Sequence, residues 1–184
     1  MEPSNWFAPL RGIAVLSTLL VVTPTAISSP AAPTADGEWN FRVLLDGKEV
    51  ELKRDGEQVA PLVAELKALG IRTSLFMDPD PEQIRLAAQL GADRIELYTE
   101  SYARAYRDKA DLEAVFRRFI LAAETAAEAG LGLNAGHDLD LDNLPRFATV
   151  PGLLEVSIGH ALTVDAIRMG LANAVSAYQR ALGK

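Results

Sequence analysis

From Glu57 onward the sequence repeats one beat: a helical stripe, a glycine, then a short apolar run. Val59, Leu62, Val63 and Leu66 recur at helical spacing and stop at Gly70, and Arg72 to Met77 is a strand-like run closed by Asp78-Pro79-Asp80-Pro81. Apolar residues three and four apart share one helix face, whereas a short run bounded by turn residues reads as a strand. Pro81 suits the first turn of the next helix, which carries Ile84, Ala87 and Ala88 inward and ends at Gly91. Arg94 to Thr99 is the second strand. Leu112, Val115, Phe116, Phe119, Ile120 and Ala123 then stripe a long helix closed by Gly130. Leu131 to Ala135 and Leu153 to Ile158 are the third and fourth strands, and Ile167, Leu171, Ala174 and Tyr178 mark the last helix. Four strands, each followed by helix, predict an α/β fold with a parallel sheet. A closed barrel of eight such units takes about 250 residues. This stretch supplies half of one: a partial β/α barrel of about four C-terminal units.

The segment before this rhythm differs from it. Gly12 to Val22 is an apolar run of signal-peptide length, too short to span a bilayer comfortably. The small residues that follow include Ala26-Ile27-Ser28, which resembles a cleavage site, although Arg11 is the only base ahead of the run. Two readings stay open for residues 1–32: a secretory leader, or a buried strand or helix followed by a Pro-rich loop. Residues 33–53 read as a β-hairpin. Trp39, Phe41, Val43 and Leu45 alternate with Asn40, Arg42 and Leu44, Asp46-Gly47 follows, and Val50 and Leu52 resume the alternation. Asp-Gly between alternating runs is a strong hairpin signal, since both central residues of a type I′ turn need positive φ. The change of period predicts a junction near Lys53 to Gly56, with the half-barrel occupying residues 54–184.

Composition narrows the function. The 184 residues carry a net charge of −7, which argues against a nucleic-acid partner, since phosphate backbones call for clustered Lys and Arg. With no Cys there is neither a disulfide framework nor a thiolate metal site. Two His without HExxH or a carboxylate cluster argue against a transition metal. A small phosphorylated ligand remains compatible, because a few N–H groups can hold one.

Both histidines fall where a β/α barrel carries its chemistry. His137 follows the third strand in Asn134-Ala135-Gly136-His137-Asp138, and His160 follows the fourth in Ser157-Ile158-Gly159-His160. Strand C-terminal ends converge on one mouth in such barrels, and imidazole exchanges protons near neutral pH. The alternative is a pair of ordinary core or loop histidines. Strand alternation sends Glu96 into the barrel interior if Ile95 and Leu97 face the helices. A carboxylate there must be hydrogen-bonded, paired or functional, and its bland alternative is an ion pair with Arg94 or Arg72. Asp138, Asp140 and Asp142 read as loop carboxylates and helix caps, and Asp78 and Asp80 as turn formers. Gly159 allows close backbone approach to a ligand at a helix N-terminus, where free N–H groups attract anions.

These segments together resemble a known family. The runs SLFMDPDPEQIRLAAQLGADRIELYTESYA, LGLNAGHDLDLDNLP and LLEVSIGHALTVDAIRMGLANAV are similar to the C-terminal half of pyridoxine 5′-phosphate synthases of the deoxyxylulose-dependent vitamin B6 pathway. The resemblance runs from about Arg54 to the end of the chain. It implies a TIM barrel with extra helices, a homo-oligomer, and a cytoplasmic location unless the leader directs export. It implies condensation of 3-amino-2-oxopropyl phosphate with 1-deoxy-D-xylulose 5-phosphate, releasing phosphate and water, with no metal or organic cofactor. By resemblance His137 matches the general acid and Glu96 the transition-state-stabilising carboxylate. Gly159, His160 and Asp138 match groups that bind 3-amino-2-oxopropyl phosphate.

The family's N-terminal half brings further bases and arginines, which have no recognised counterpart in residues 1–53. The chain therefore reads as a fused or truncated form. Three functions are expected of it: the family reaction, binding of phosphorylated metabolites without turnover, or a packing module in an exported protein.

Overall fold

A computed structural model describes residues 44–45, 48–49 and 52–183, with backbone alone for the two strand pairs and for residues 54 and 55. The leader, the first hairpin arm before Leu44, the Asp46-Gly47 turn and Val50 lie outside the described residues. Two short strands, β1 (Leu44–Leu45) and β2 (Lys48–Glu49), pair antiparallel with Leu45 opposite Lys48, the register of a two-residue connection. Leu52 does not extend β2. It opens helix α1 (Leu52–Ala68), which runs without a break through the junction expected near Lys53 to Gly56. Tertiary contact carries these first turns: Leu52 packs against the core, Lys53 pairs with Glu82, and Gly56 lies beside the Leu90 side chain.

Four strands form one parallel sheet in sequence order: β3 (Ser74–Met77), β4 (Arg94–Tyr98), β5 (Gly132–Gly136) and β6 (Leu153–Ser157). Among the described residues the sheet is open, with β3 and β6 at its edges. This is the partial β/α barrel that the sequence rhythm predicts. Helix α2 (Pro81–Gln89) starts as expected at Pro81, and Asp80 caps it by accepting the Glu82 N–H at 2.8 Å. Helix α4 (Leu112–Glu128) delivers Phe119, Ala122, Ala123 and Ala126 to the core. Facing them are Ile95 and Leu97 of β4, Leu133 and Ala135 of β5 and Val156 of β6. Each large apolar side chain removed from water here stabilises the fold by about 1.5–3 kcal/mol.

Two helical expectations are corrected. A helix absent from the sequence reading, α3 (Glu100–Asp108), precedes α4; it buries Tyr102, Ala103 and Ala105. The final stripe is not one helix. Gly170, at φ 85° and ψ 144°, breaks it into α6 (His160–Met169) and α7 (Leu171–Ala181). Across that elbow Ile167 and Leu171 are exposed, while Ala174 and Tyr178 stay buried. The Tyr178 hydroxyl donates to Asp165 at 2.8 Å and pins the two helices together.

Tyr102 is the hub that ties the helix layer to the loop after β5. Its ring lies 5.0 Å from Phe147 and 6.1 Å from Phe119, in the tilted and edge-on geometries aromatic pairs prefer. Phe147 comes from the short α5 (Leu144–Phe147). The fully buried Tyr102 hydroxyl donates to the Asn143 carbonyl at 2.7 Å, and burial pushes its pKa far up. Tyr102→Phe keeps the ring and strips the donor from a buried carbonyl, so it should cost about 1–3 kcal/mol. Urea unfolding measures this; a variant as stable as the parent would mean that water satisfies the Asn143 carbonyl.

Candidate functional site

The sheet has an apolar face under the helices and a polar face opposite. On β4, Ile95 and Leu97 take the first and Arg94, Glu96 and Tyr98 the second, as alternation requires. The register sets Phe76, Glu96, Asn134 and Glu155 in one row across the polar face. Tyr98, Gly136 and Ser157 form the row nearer the strand ends.

Between these rows β5 is nearly bare. It offers Gly132, Asn134 and Gly136, and the β4 side chains lie across it. A Cβ on Gly132 would sit 2.8 Å from Arg94 Cγ, and one on Gly136 would collide with Glu96 Oε1 and come within 3.0 Å of Ser157 Cβ. The glycines are lanes for two charged side chains.

The ion pair considered for Glu96 does not form. Arg94 Nη1 donates to Asn134 Oδ1 at 3.0 Å and lies 3.2 Å from Glu155 Oε2, while Arg72 Nη2 is 3.9 Å from Glu155 Oε1. Asn134 Nδ2 donates to Glu155 Oε2 at 3.2 Å. Glu96 itself is 6% exposed, and its Oε1 has no hydrogen-bond partner. Burial raises its pKa; the Ser157 hydrogen bond opposes that rise, and repulsion from Glu155 adds to it. Asn134 and Glu155 escaped the sequence reading. Each stands between apolar neighbours, Leu133 and Ala135 or Leu154 and Val156, as Glu96 stands between Ile95 and Leu97.

At the end of β5 the chain turns sharply. His137 and Asp138 are consecutive non-glycine residues at positive φ, 79° and 57°. That conformation costs roughly 1–2 kcal/mol per residue, and several bonds hold it. The buried Thr99 hydroxyl donates to the carbonyls of Gly136 and His137, and the Thr99 N–H also reaches Gly136 at 3.0 Å. Asn143 Nδ2 donates to the Asp138 carbonyl at 3.0 Å. Asp140 holds the turn ahead of α5, accepting the N–H groups of Asp142 at 2.9 Å and Asn143 at 2.8 Å, while no side chain caps that helix.

Asp138 turns back to His137 instead, with Nδ1 and Oδ2 3.0 Å apart. The exposed imidazole also packs edge-on against Tyr98, centroids 4.8 Å apart. Among the described residues its Nε2 has no partner.

Gly159 and His160 lie one strand over, both exposed, at the start of α6. Gly159 has φ −102°, and a Cβ there would meet nothing within 4 Å. Neither backbone nor packing demands glycine. Since Gly136 pairs with Ser157, the strands ahead of His137 and His160 end side by side. The sheet thus brings His137 and Asp138 beside Gly159 and His160 at one C-terminal rim, with Glu96 one row below and its carboxyl against Gly136. Among the described residues no cluster of three or more His, Cys, Asp or Glu could hold a metal, and no helix is long and apolar enough to cross a membrane.

The known proteins that this chain resembles belong to one family. A family model described as Pyridoxal phosphate biosynthesis protein PdxJ matches residues 46–184. A pyridoxine 5′-phosphate synthase from Albidiferax ferrireducens is 45% identical over 152 residues, covering 82% of this chain and 56% of the relative. One from Brucella anthropi is 45% identical over 154 residues, 83% of this chain and 58% of the relative. One from Xanthomonas campestris is 48% identical over 177 residues, 95% of this chain and 66% of the relative. That last alignment reaches well back into the segment before residue 54. The chain spans from just over half to about two thirds of the length of these curated relatives.

The buried carboxyl makes stability depend on pH. A group whose pKa is raised by folding binds its proton more tightly in the folded state, so stability falls as pH rises from the unfolded value through the folded one. Glu96→Gln removes that ionisation. The variant should gain stability over the parent at neutral pH, by about 2–4 °C in Tm for each kcal/mol relieved, and lose the gain below the ordinary glutamate range. Thermal unfolding across pH tests this. A constant difference at all pH values would show that Glu96 ionises as freely folded as unfolded.

Proposed function

The chain belongs to the Pyridoxal phosphate biosynthesis protein PdxJ family, and from that premise we propose that it carries the C-terminal half of a pyridoxine 5′-phosphate synthase site. One observation carries the reading: a buried carboxyl with an unbonded oxygen, Glu96, lies against Gly136, the residue that precedes the exposed His137. Its proposed ligand is 3-amino-2-oxopropyl phosphate, to be joined to 1-deoxy-D-xylulose 5-phosphate. The phosphate sits over Gly159, against the first N–H groups of α6, which have no acceptor within the helix and lie at its positive end. His160 and Asp138 flank it. His137 delivers a proton to the hydroxyl that leaves as water, and the Glu96 carboxylate offsets positive charge on the reacting ligand. No metal or organic cofactor takes part in this scheme. The reaction belongs to the cytoplasm, with export the alternative if the 12–22 run acts as a leader.

A second reading, binding without turnover, is favoured by the histidine count. His137 and His160 are the only two in these 184 residues, so further histidine bases would have to come from outside them. The open edges β3 and β6 likewise invite a second half-barrel, since unpaired strand edges are templates for association.

Two measurements follow. In titration calorimetry the chain should bind 3-amino-2-oxopropyl phosphate weakly; Gly159→Val should abolish binding by filling the open volume, and His137→Ala should leave it largely intact. Binding that survives Gly159→Val would remove the phosphate from this turn. Pyridoxine 5′-phosphate made from both substrates by the purified chain would reject the binder reading; general acid catalysis by His137 should then contribute about 10²–10⁴-fold, lost in His137→Ala. Sedimentation at micromolar concentration should show self-association, and a stable monomer would count against paired half-barrels.

A further inference from the structure

We propose that Arg94, Asn134 and Glu155 form a positioning group that withholds a cation from Glu96 and so keeps its carboxyl free to meet a ligand. This rests on the reading of Glu96 as a ligand-facing group, and it begins from a contact that is missing. Arg94 and Glu96 are two apart on one strand and share its polar face, so mutual pairing is the simplest way to bury both. Arg94 instead lies across Gly132, where any Cβ would meet its Cγ at 2.8 Å. There it finds Asn134 at 3.0 Å and Glu155 at 3.2 Å.

Asn134 makes the arrangement specific. It is 7% exposed, and it turns its oxygen to the guanidinium and its nitrogen to the carboxylate. The opposite amide orientation would set donor against donor and acceptor against acceptor.

Glu155 is there because β6 carries an irregularity. Leu133 pairs with Leu153, but Asn134 pairs with Glu155, so Leu154 is the extra residue. In unbroken register Leu154 would face Asn134, and Glu155 would stand opposite Ala135, on the helix side. A bulge of this kind re-aims the side chain that follows it. Here it gives Arg94 a carboxylate other than Glu96, and leaves Leu154 half exposed.

What then faces Glu96 can be named strand by strand. From β3 come Ser74 and Phe76, both uncharged; from its own strand Arg94, already engaged, and Tyr98; from β5 Asn134, with His137 beyond the strand end; from β6 Glu155 and Ser157. Ser157 is the polar group that bonds the carboxyl, and Glu155 is the charge that repels it. Arg94 and Arg72 in turn lie against Glu155, at 3.2 and 3.9 Å.

Two substitutions pull this arrangement in opposite directions. Glu155→Gln removes the repelling carboxylate and releases Arg94 towards Glu96. Arg94→Gln removes the cation that offsets Glu155. The experiment follows the Glu96 side-chain carboxyl by ¹³C NMR through a pH titration of the full chain, assigned with Glu96→Gln, with near-UV circular dichroism as the check on folding. The Glu96 midpoint should fall in Glu155→Gln and rise in Arg94→Gln. A merely structural role would give no opposed pair of shifts, so midpoints that stay put or move together in the folded variants overturn the proposal. If one variant does not fold, the sign of the other decides. Calorimetry with 3-amino-2-oxopropyl phosphate runs alongside. Absent binding with opposed midpoint shifts would reject the functional reading and leave the positioning group standing.

Discussion

Two ionisable side chains have to be laid across a sheet without leaving either on top of the other, and the structure of the polar face follows from that need. Arg94 and Glu96 both leave β4 on the same side and both cross β5. A strand with ordinary side chains would block them. The sequence Gly132-Leu133-Asn134-Ala135-Gly136 is therefore two strands in one: Leu133 and Ala135 are buried in the core, while glycine, asparagine and glycine leave lanes on the other face. Each strand glycine costs about 0.5–1 kcal/mol relative to alanine. The return is a buried carboxyl with one oxygen left free, which a packed strand could not accommodate.

The same economy of space explains why the loop after β5 needs so many restraints. With Gly136 filled by the Glu96 carboxyl, the chain leaves β5 through two left-handed residues, His137 and Asp138. Left-handed non-glycine residues persist only where their surroundings over-determine them. Thr99 from the end of β4 holds the carbonyls of Gly136 and His137, and Asn143 holds that of Asp138. Asn143 is in turn held by Tyr102, which stands in the aromatic cluster of Phe116, Phe119 and Phe147. The orientation of an exposed imidazole at the rim thus depends on packing in the helix layer behind the sheet.

Much of the architecture was legible in the sequence, because its determinants are local. Strand positions, the inward side of Glu96 and the helix start at Pro81 all follow from period and turn chemistry within one element. The misses share a different cause. Helix α3 is short, with its apolar positions supplied by two tyrosines and alanines, so its stripe resembles a polar loop until Tyr102 is seen in the core. Helix α1 extends back over Leu52 to Gly56 because α2 offers Glu82, and the residue that ends it, Leu90, to pack against. Glu155 reaches the polar face only through a register shift between two strands, which no single strand encodes. Glu96 was therefore found, and the group that leaves it unpaired was not.

Gly159 separates what the fold requires from what a ligand would require. Gly132 and Gly136 are explained by side chains that lie against them, and Gly170 by a φ of 85° that breaks the last helices apart. Gly159 has neither reason: its φ is ordinary for any residue and its Cβ position opens on empty space. A residue at a helix start would more often be Ser, Thr, Asp or Asn, whose side chain caps the first N–H groups. Here no side chain caps α6, so those N–H groups stay available to a group from outside the chain. An anion seated on them would complete the helix as a capping side chain does elsewhere, and the volume a side chain would fill is the volume that anion needs. The bare helix start follows β6 and the unpaired carboxyl stands on β4, with β5 between them, and each leaves a polar group without a partner among the described residues.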